Sequence, residues 1–309
     1  MKTVRLVLIF LLAAGATAFG QPDPPAPDAA KANASPPDLT PDAAGRLSEP
    51  QMQALLRLVA DRDEQNDKLL RNYTYVERDE DHKLDGQGQT KSSESKTYDV
   101  LQIYGEQVRR QIEKDDKPLS EKDAAKEEEK IQKIIDKRKD ESEGERKKRE
   151  EKEEKERAEG RQFVHEIADA YNFTLVGTET LGGRENWVIA GEPRPGYQPR
   201  VKYANLLPKF RGRVWIDKAE QQWTKMELEA IDTVSFGLFL ARLHRGSQVL
   251  IEQTRVNDEV WLPKHVALKV DLRLALLKEI RASQEQTFRD YKKFHASARI
   301  VGYGEVKEK

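Results

Sequence analysis

The sequence predicts an α+β protein built on one antiparallel β-sheet, with a long charged helical insertion within the chain. Three observations carry that prediction. HVALKVDLRLAL, residues 265–276, alternates apolar and polar side chains without a fault, so one face of that strand is apolar along its length. Strand-like runs succeed one another through the second half with only short turns between them, the pattern of a meander. Residues 121–160 are about three-quarters charged, with the signs mixed.

The bulk numbers narrow the classes. The chain has 309 residues, with 54 Lys and Arg against 55 Asp and Glu, for a formal charge of −1. A nucleic-acid binder needs a positive excess to displace counterions, so no nucleic-acid partner is expected. There is no Cys, which excludes disulfides, thiolate metal sites and cysteine nucleophiles.

Lys2 and Arg5, then the apolar LVLIFLLAA (6–14), then Ala16-Thr17-Ala18 have the layout of an export signal over residues 1–20. The apolar run falls short of the roughly 20 residues that a spanning helix needs. A periplasmic or secreted chain, soluble after cleavage, is the expectation. Residues 21–47 are rich in Pro and Ala and read as an extended, disordered tether.

The folded unit is expected over 48–309. Ser48 and Gln51 stand at capping-box spacing, and Met52, Leu55, Leu56 and Val59 give a short amphipathic helix whose stripe fades into DRDEQNDK. Strands begin at Asn72, with hairpins bending at Asp85-Gly86 and near Gly105. Ser120 is placed to cap the charged segment. Its acid-first pairs Glu129–Lys133, Glu143–Lys147, Glu145–Arg149, Glu151–Lys155 and Glu153–Arg157 predict a solvated helix, weakened near Gly144. With only Ile131, Ile134 and Ile135 available, it lacks the apolar seam of a coiled coil. Phe163, Val164, Ile167 and Tyr171 then return an apolar face to the domain. Beyond them come a hairpin at Gly182-Gly183, strands at 212–217 and 223–234, a strand pair turning at Asn257-Asp258 and stopping at Pro263, the 265–276 strand, and a last strand at 279–294.

Motifs of chemistry are missing. His82, His165, His244, His265 and His295 are scattered without metal-ligand spacing. Asp79, Asp81 and Asp85 faintly resemble a calcium loop, but Lys83 and Leu84 stand where a ligand and the essential glycine are needed. There is no Gly-x-Ser-x-Gly and no phosphate loop, and Gly302-Tyr303-Gly304 sits too near the chain end for a dinucleotide motif. No catalytic, cofactor or metal site is assigned, and the chain is read as a non-enzyme. An exported hydrolase would require paired carboxylates or a Ser/His pair converging in a cleft.

Gly212-Arg213-Val214-Trp215-Ile216-Asp217, Met226-Glu227-Leu228-Glu229, Val260-Trp261-Leu262-Pro263, Asn72-Tyr73-Thr74-Tyr75 and Tyr291-Lys292-Lys293-Phe294, taken together, resemble the outer-membrane lipoprotein-sorting, LolA-like family over about residues 49–294. The resemblance implies an incomplete, strongly curved antiparallel half-barrel with helices in its concave side, and lipid or lipoprotein acyl chains as ligands. The apolar rows point the same way: Val214, Met226, Leu228, Val266, Leu268, Val270, Leu272 and Leu274 form more apolar wall than the sparse helices can cover, so they are the candidate groove. The rival reading is an envelope regulatory or scaffolding protein that uses residues 121–160 as a partner-binding arm.

Overall fold

The computed structural model describes residues 38–43, 45–236, 241–274 and 278–293. The expected export signal, the tether up to residue 37, Leu276, His295 and Gly302-Tyr303-Gly304 lie outside them, as do the side chains of Leu274 and Glu153.

In chain order the elements are α1 (Glu49–Leu70), β1 (Tyr73–Leu84), β2 (Thr90–Ile103), β3 (Glu106–Lys114), β4 (Lys117–Pro118), α2 (Glu121–Lys139), α3 (Glu143–Ala170), β5 (Tyr171–Leu181) and β6 (Arg184–Pro193). A 3-10 turn (Ala204–Lys209) then leads into β7 (Phe210–Asp217), β8 (Trp223–Ala230), β9 (Val234–Phe236), β10 (Ala241–Leu243), β11 (Gln248–Val256), β12 (Val260–Leu274) and β13 (Lys278–Lys293). The strands form one open sheet in the order β4-β3-β2-β1-β13-β12-β11-β8-β7-β6-β5, with β10 on β12 and β9 on β10. Every pairing is antiparallel. The fold class expected from the sequence is the one observed.

Tight hairpins close at Tyr104-Gly105, Gly182-Gly183 and Asn257-Asp258, each a pair of residues with positive φ. That backbone twist matches the twist of the flanking strands. Strand boundaries differ from expectation in two places: β8 ends at Ala230, short of the expected 234, and Pro263 is not a stop. The chain does not stop at Pro263; β12 runs through it as a single 15-residue strand, with a register shift where β11 passes from Glu252 to Gln253. A proline lacks the N–H that the ladder would use, and a bulge is where a strand tolerates that loss. The short β9 and β10, β4 and the 3-10 turn were not foreseen.

α1 begins with the expected capping box, Ser48 and Gln51 bonding reciprocally. Gln51 also donates to the carbonyls of Asp38 and Thr40, so the end of the Pro-rich stretch is tied to the helix. Met52 and Leu55 pack on Trp187, Ile189 and Ile216. The helix then continues to Leu70 without an apolar stripe, because polar contacts take over. Asp63 accepts from Trp223 Nε1 at 2.7 Å, and Asn66 accepts from the Trp261 N–H at 2.7 Å while donating to the Trp261 carbonyl at 2.5 Å.

The charged segment is two helices, broken between Lys139 and Glu143. Ser142 caps α3, and Glu145 turns back to Ser142 instead of pairing with Arg149. Arg149 and Arg138 both bind Glu141 at the elbow. Of the expected acid-first pairs, Glu129–Lys133 forms. α2 is not merely solvated. Ile131 is buried with Ile103 and Val108, and Ile134 and Ile135 pack beside it. Glu127 accepts from the Gln111 N–H and Lys130 donates to the Arg109 carbonyl, so side chains of α2 meet backbone groups of β3. Phe163 and Ile167 of α3 pack on Tyr171, Ala204 and Leu207, as the apolar spacing predicts.

Candidate functional site

Register identifies the two faces of the sheet. Ile189, Val214, Met226, Ile251, Val266, Gln286 and Asp79 follow one another across neighbouring strands, and so do Gly191, Gly212, Leu228, Val249, Leu268, Gln284 and Asp81. Side chains alternate along a strand, so both rows project to the same face. This is the face that α1 covers, called inner here. α2 lies against the opposite face through Leu101, Ile103 and Val108.

The alternation in residues 265–273 is present in the folded chain. Val266, Leu268, Val270 and Leu272 are only 0–3% exposed, packed with Phe210, Ala230, Val234, Leu243, Val249 and Ala282. Val214, Met226 and Leu228 are half-buried. Val214 leans on the α1 cluster, whereas Leu228 and Ile251 lean on the cluster around Val266. Met226 stands between them in register with both Val214 and Ile251. The structure thus brings seven of the eight candidate residues onto one continuous face, four sealed and three partly open. Leu274 pairs with Lys278 and Ala241 through its backbone.

Gly212 holds the rows close together. A Cβ there would lie 2.4 Å from the Glu227 carbonyl oxygen and 2.6 Å from Leu228 Cδ2. Only a glycine lets Leu228 lie flat over the neighbouring strand. A cavity of about 730 Å³ runs across β6, β7, β8, β11, β12 and β13 at this level. Leu228, Leu268 and Gln284 touch it, but most of its lining, including Arg213, Glu227, Lys269 and Glu285, has the parity of the face opposite the inner rows, so it is a polar groove on that face and not the apolar patch.

Along β13 and β1 the inner face changes chemistry. Arg109 Nη2 lies 2.7 Å from Glu77 Oε1 and 2.6 Å from Asp79 Oδ2, with its guanidinium 3.9 Å over the Tyr98 ring. Gln286 Nε2 donates to Asp79 at 2.8 Å and to Glu77 at 3.2 Å. Burial pushes the Asp79 carboxyl upward, but the Arg109 charge, with hydrogen bonds from Glu77, Arg109 and Gln286, outweighs it and holds the pKa below the ordinary value. Two residues along, Gln284 is 2% exposed, and neither its amide nitrogen nor its oxygen has a hydrogen-bond partner among the described residues. An unmet buried polar group costs about 1–3 kcal/mol.

Of these five polar residues only Asp79 stands out in the sequence, in the faint calcium-loop pattern, and not for this role. The usable signal lay in EIRASQEQTF. Ile280, Ala282 and Phe288 share one parity, and Gln284 and Gln286 occupy that parity between them, two amides on an otherwise apolar face.

No family model matches the chain, and no curated protein matches it. Solved structures do. The chain is similar to the proposed outer membrane lipoprotein-sorting protein domain from Vibrio parahaemolyticus, at 12% identity and a TM-score of 0.34, covering 79% of this chain and 94% of that one. A DUF1329 family protein from Desulfovibrio piger shares 10% identity with a TM-score of 0.29, over 80% and 95% of the two chains. A LolA superfamily protein from Nitrosomonas europaea shares 8% identity with a TM-score of 0.26, over 79% and 93%. Among the described residues no helix is long and apolar enough to cross a membrane.

Proposed function

We propose that this chain is a non-catalytic carrier that holds a lipid or lipoprotein acyl chain along the inner face of its sheet, in the cell envelope. One observation supports the reading above others: Val214, Met226, Leu228 and Ile251 form a half-buried apolar patch between two filled clusters, one under α1 and one around Val266. Val266, Leu268, Val270 and Leu272 would be the floor beneath the tail and Leu274 its continuation. Apolar surface that the protein leaves partly wet gains most from a hydrocarbon guest.

The magnitudes suit a carrier. A sixteen-carbon chain buried at about 0.8 kcal/mol per CH₂ yields on the order of 12 kcal/mol gross. Ordering and association cost roughly 4–15 kcal/mol, so the net affinity is modest and the cargo can be released.

The test is mass spectrometry of organic extracts from protein purified without detergent, together with displacement of an apolar dye. Co-purifying lipid and a displaceable dye are expected. A lipid-free extract combined with no dye binding overturns the reading.

A further inference from the structure

The inner face carries a polar site that acyl-chain binding by itself does not use, and this site bears on which lipid is held. We infer that Gln284, with Glu77 and Asp79 beside it, forms a head-group subsite that takes an uncharged group presenting a hydrogen-bond donor and an acceptor side by side, a hydroxyl or an amide. The inference rests on the carrier reading and deepens it.

Gln284 supplies the first argument. Its carboxamide offers both an N–H donor and a carbonyl acceptor, and both are buried and unmet. Buried polar groups in native proteins find partners, so a group that enters this face should complete the pair. An ester could only accept and would leave the Gln284 oxygen bare. A carboxylate has the same defect, and an ammonium has the opposite one.

Charge supplies the second. Glu77 and Asp79 share a single guanidinium nitrogen, Arg109 Nη2, and take a further donor from Gln286. The guanidinium of Arg109 is thus already engaged by both carboxyls, so the cluster does not present it to an anionic head group. Register connects the cluster to Gln284, since Gln286 is opposite Asp79 and Gln284 is opposite Asp81, all on one face.

Position supplies the third. From Gln284 the row passes through Leu268 and Val249 to Leu228. Three strand spacings of about 4.8 Å separate the polar end from the half-buried apolar patch, and a tail spanning them displaces the side chains that now cover Leu268 and Val249.

The experiment compares four probes of one chain length on the full chain by dye displacement: 1-monopalmitoylglycerol, palmitamide, methyl palmitate and palmitate. Gln284→Met, which keeps the side-chain length and removes both hydrogen-bonding atoms, is measured beside the parent, with thermal unfolding as a check on folding. In the parent, monopalmitoylglycerol or palmitamide, or both, should bind about tenfold more tightly than methyl palmitate and palmitate, the effect of one or two added hydrogen bonds. Which of the two binds separates a hydroxyl head from an amide head. In Gln284→Met all four should fall to the methyl palmitate level. If methyl palmitate binds but the parent shows no preference, or the preference survives in Gln284→Met, the subsite is overturned while the carrier reading stands. If no probe displaces the dye from either protein, both fall, and Gln284 is left solvated by a resident water alone. Should Gln284→Met not fold, Gln284→Leu and Gln284→Glu replace it; loss of the preference in Leu, and a shift against palmitate in Glu, are the supporting results.

Discussion

Arg109 Nη2 lies 2.6 Å from Asp79 Oδ2 across the strands of a buried sheet face, and the same nitrogen lies 2.7 Å from Glu77 Oε1. Removing Arg109 takes away the guanidinium charge that offsets the burial of Asp79. Arg109→Met should therefore destabilise the fold by about 3 kcal/mol at neutral pH, as measured by urea unfolding. The pH dependence has a defined sign. Because the folded pKa of Asp79 is lowered, its stabilising contribution is present above the unfolded carboxylate range and fades as pH falls through the folded value. The gap between parent and variant should thus narrow below about pH 4. Adding Asp79→Asn to the variant should recover part of the loss, and an unchanged gap would contradict the pairing.

Gly212 and Gly191 are opposite each other in β6 and β7 but should not tolerate alanine equally. At Gly212 the added methyl meets backbone, the Glu227 carbonyl oxygen at 2.4 Å, which cannot move without breaking the ladder. At Gly191 it meets the ring of Phe173 at 3.0 Å, and a ring can tilt. Gly212→Ala should cost about 3 kcal/mol and Gly191→Ala about 1 kcal/mol or less, read from denaturation midpoints at constant slope.

The second half of α1 is held by polar bonds, and Asn66 is their centre. Asn66→Ala leaves the N–H and carbonyl of the buried Trp261 without those bonds. A loss of about 2 kcal/mol is expected, with faster amide exchange at Trp261 and a shifted tryptophan emission. Leu55→Ala, by contrast, should cost about 3 kcal/mol through the cavity it leaves against Trp187 and Ile189.

Ile131 is the one fully buried side chain of α2. Ile131→Asp should release α2 from Ile103 and Val108 and make 121–139 the first site of limited proteolysis, while the α1 cluster is unaffected. An unchanged digestion pattern would show that the ion pairs alone hold the helix.

For the carrier itself, Met226→Glu places a charge in the half-buried patch without touching the clusters on either side. Dye affinity should drop at least tenfold while the unfolding midpoint shifts little. Loss of binding together with loss of folding would instead mark Met226 as core.

Much of this architecture was legible in the residues, because alternation and turn chemistry are local signals. Val266 to Leu272 declared their face, and Gly182-Gly183 and Asn257-Asp258 declared their turns. What escaped depended on partners far along the chain. DRDEQNDK reads as the end of an apolar stripe, and only the positions of Trp223 and Trp261 show why the helix goes on. Pro263 reads as a stop because the bulge that accommodates it is made jointly with Glu252 and Gln253. The eight apolar candidates were found by their spacing, whereas Glu77, Asp79, Arg109, Gln284 and Gln286 become a cluster only through the pairing of β13 with β1 and of β1 with β2.

The two ends of the main strand path differ. At one, Lys117-Pro118 offers a charged residue and an imino acid, and Glu127 and Lys130 occupy the free backbone groups of Gln111 and Arg109. At the other, β5 runs for 11 residues and is interrupted by a register shift between Leu175 and Gly177, where Val176 projects into solvent. Of the two ends of the main strand path β5 is therefore the adhesive one, while β9 adds a further edge of three residues. Two copies joined margin to margin through β5 would turn their blocked β3–β4 ends outward, an arrangement that disfavours stacking into a fibre.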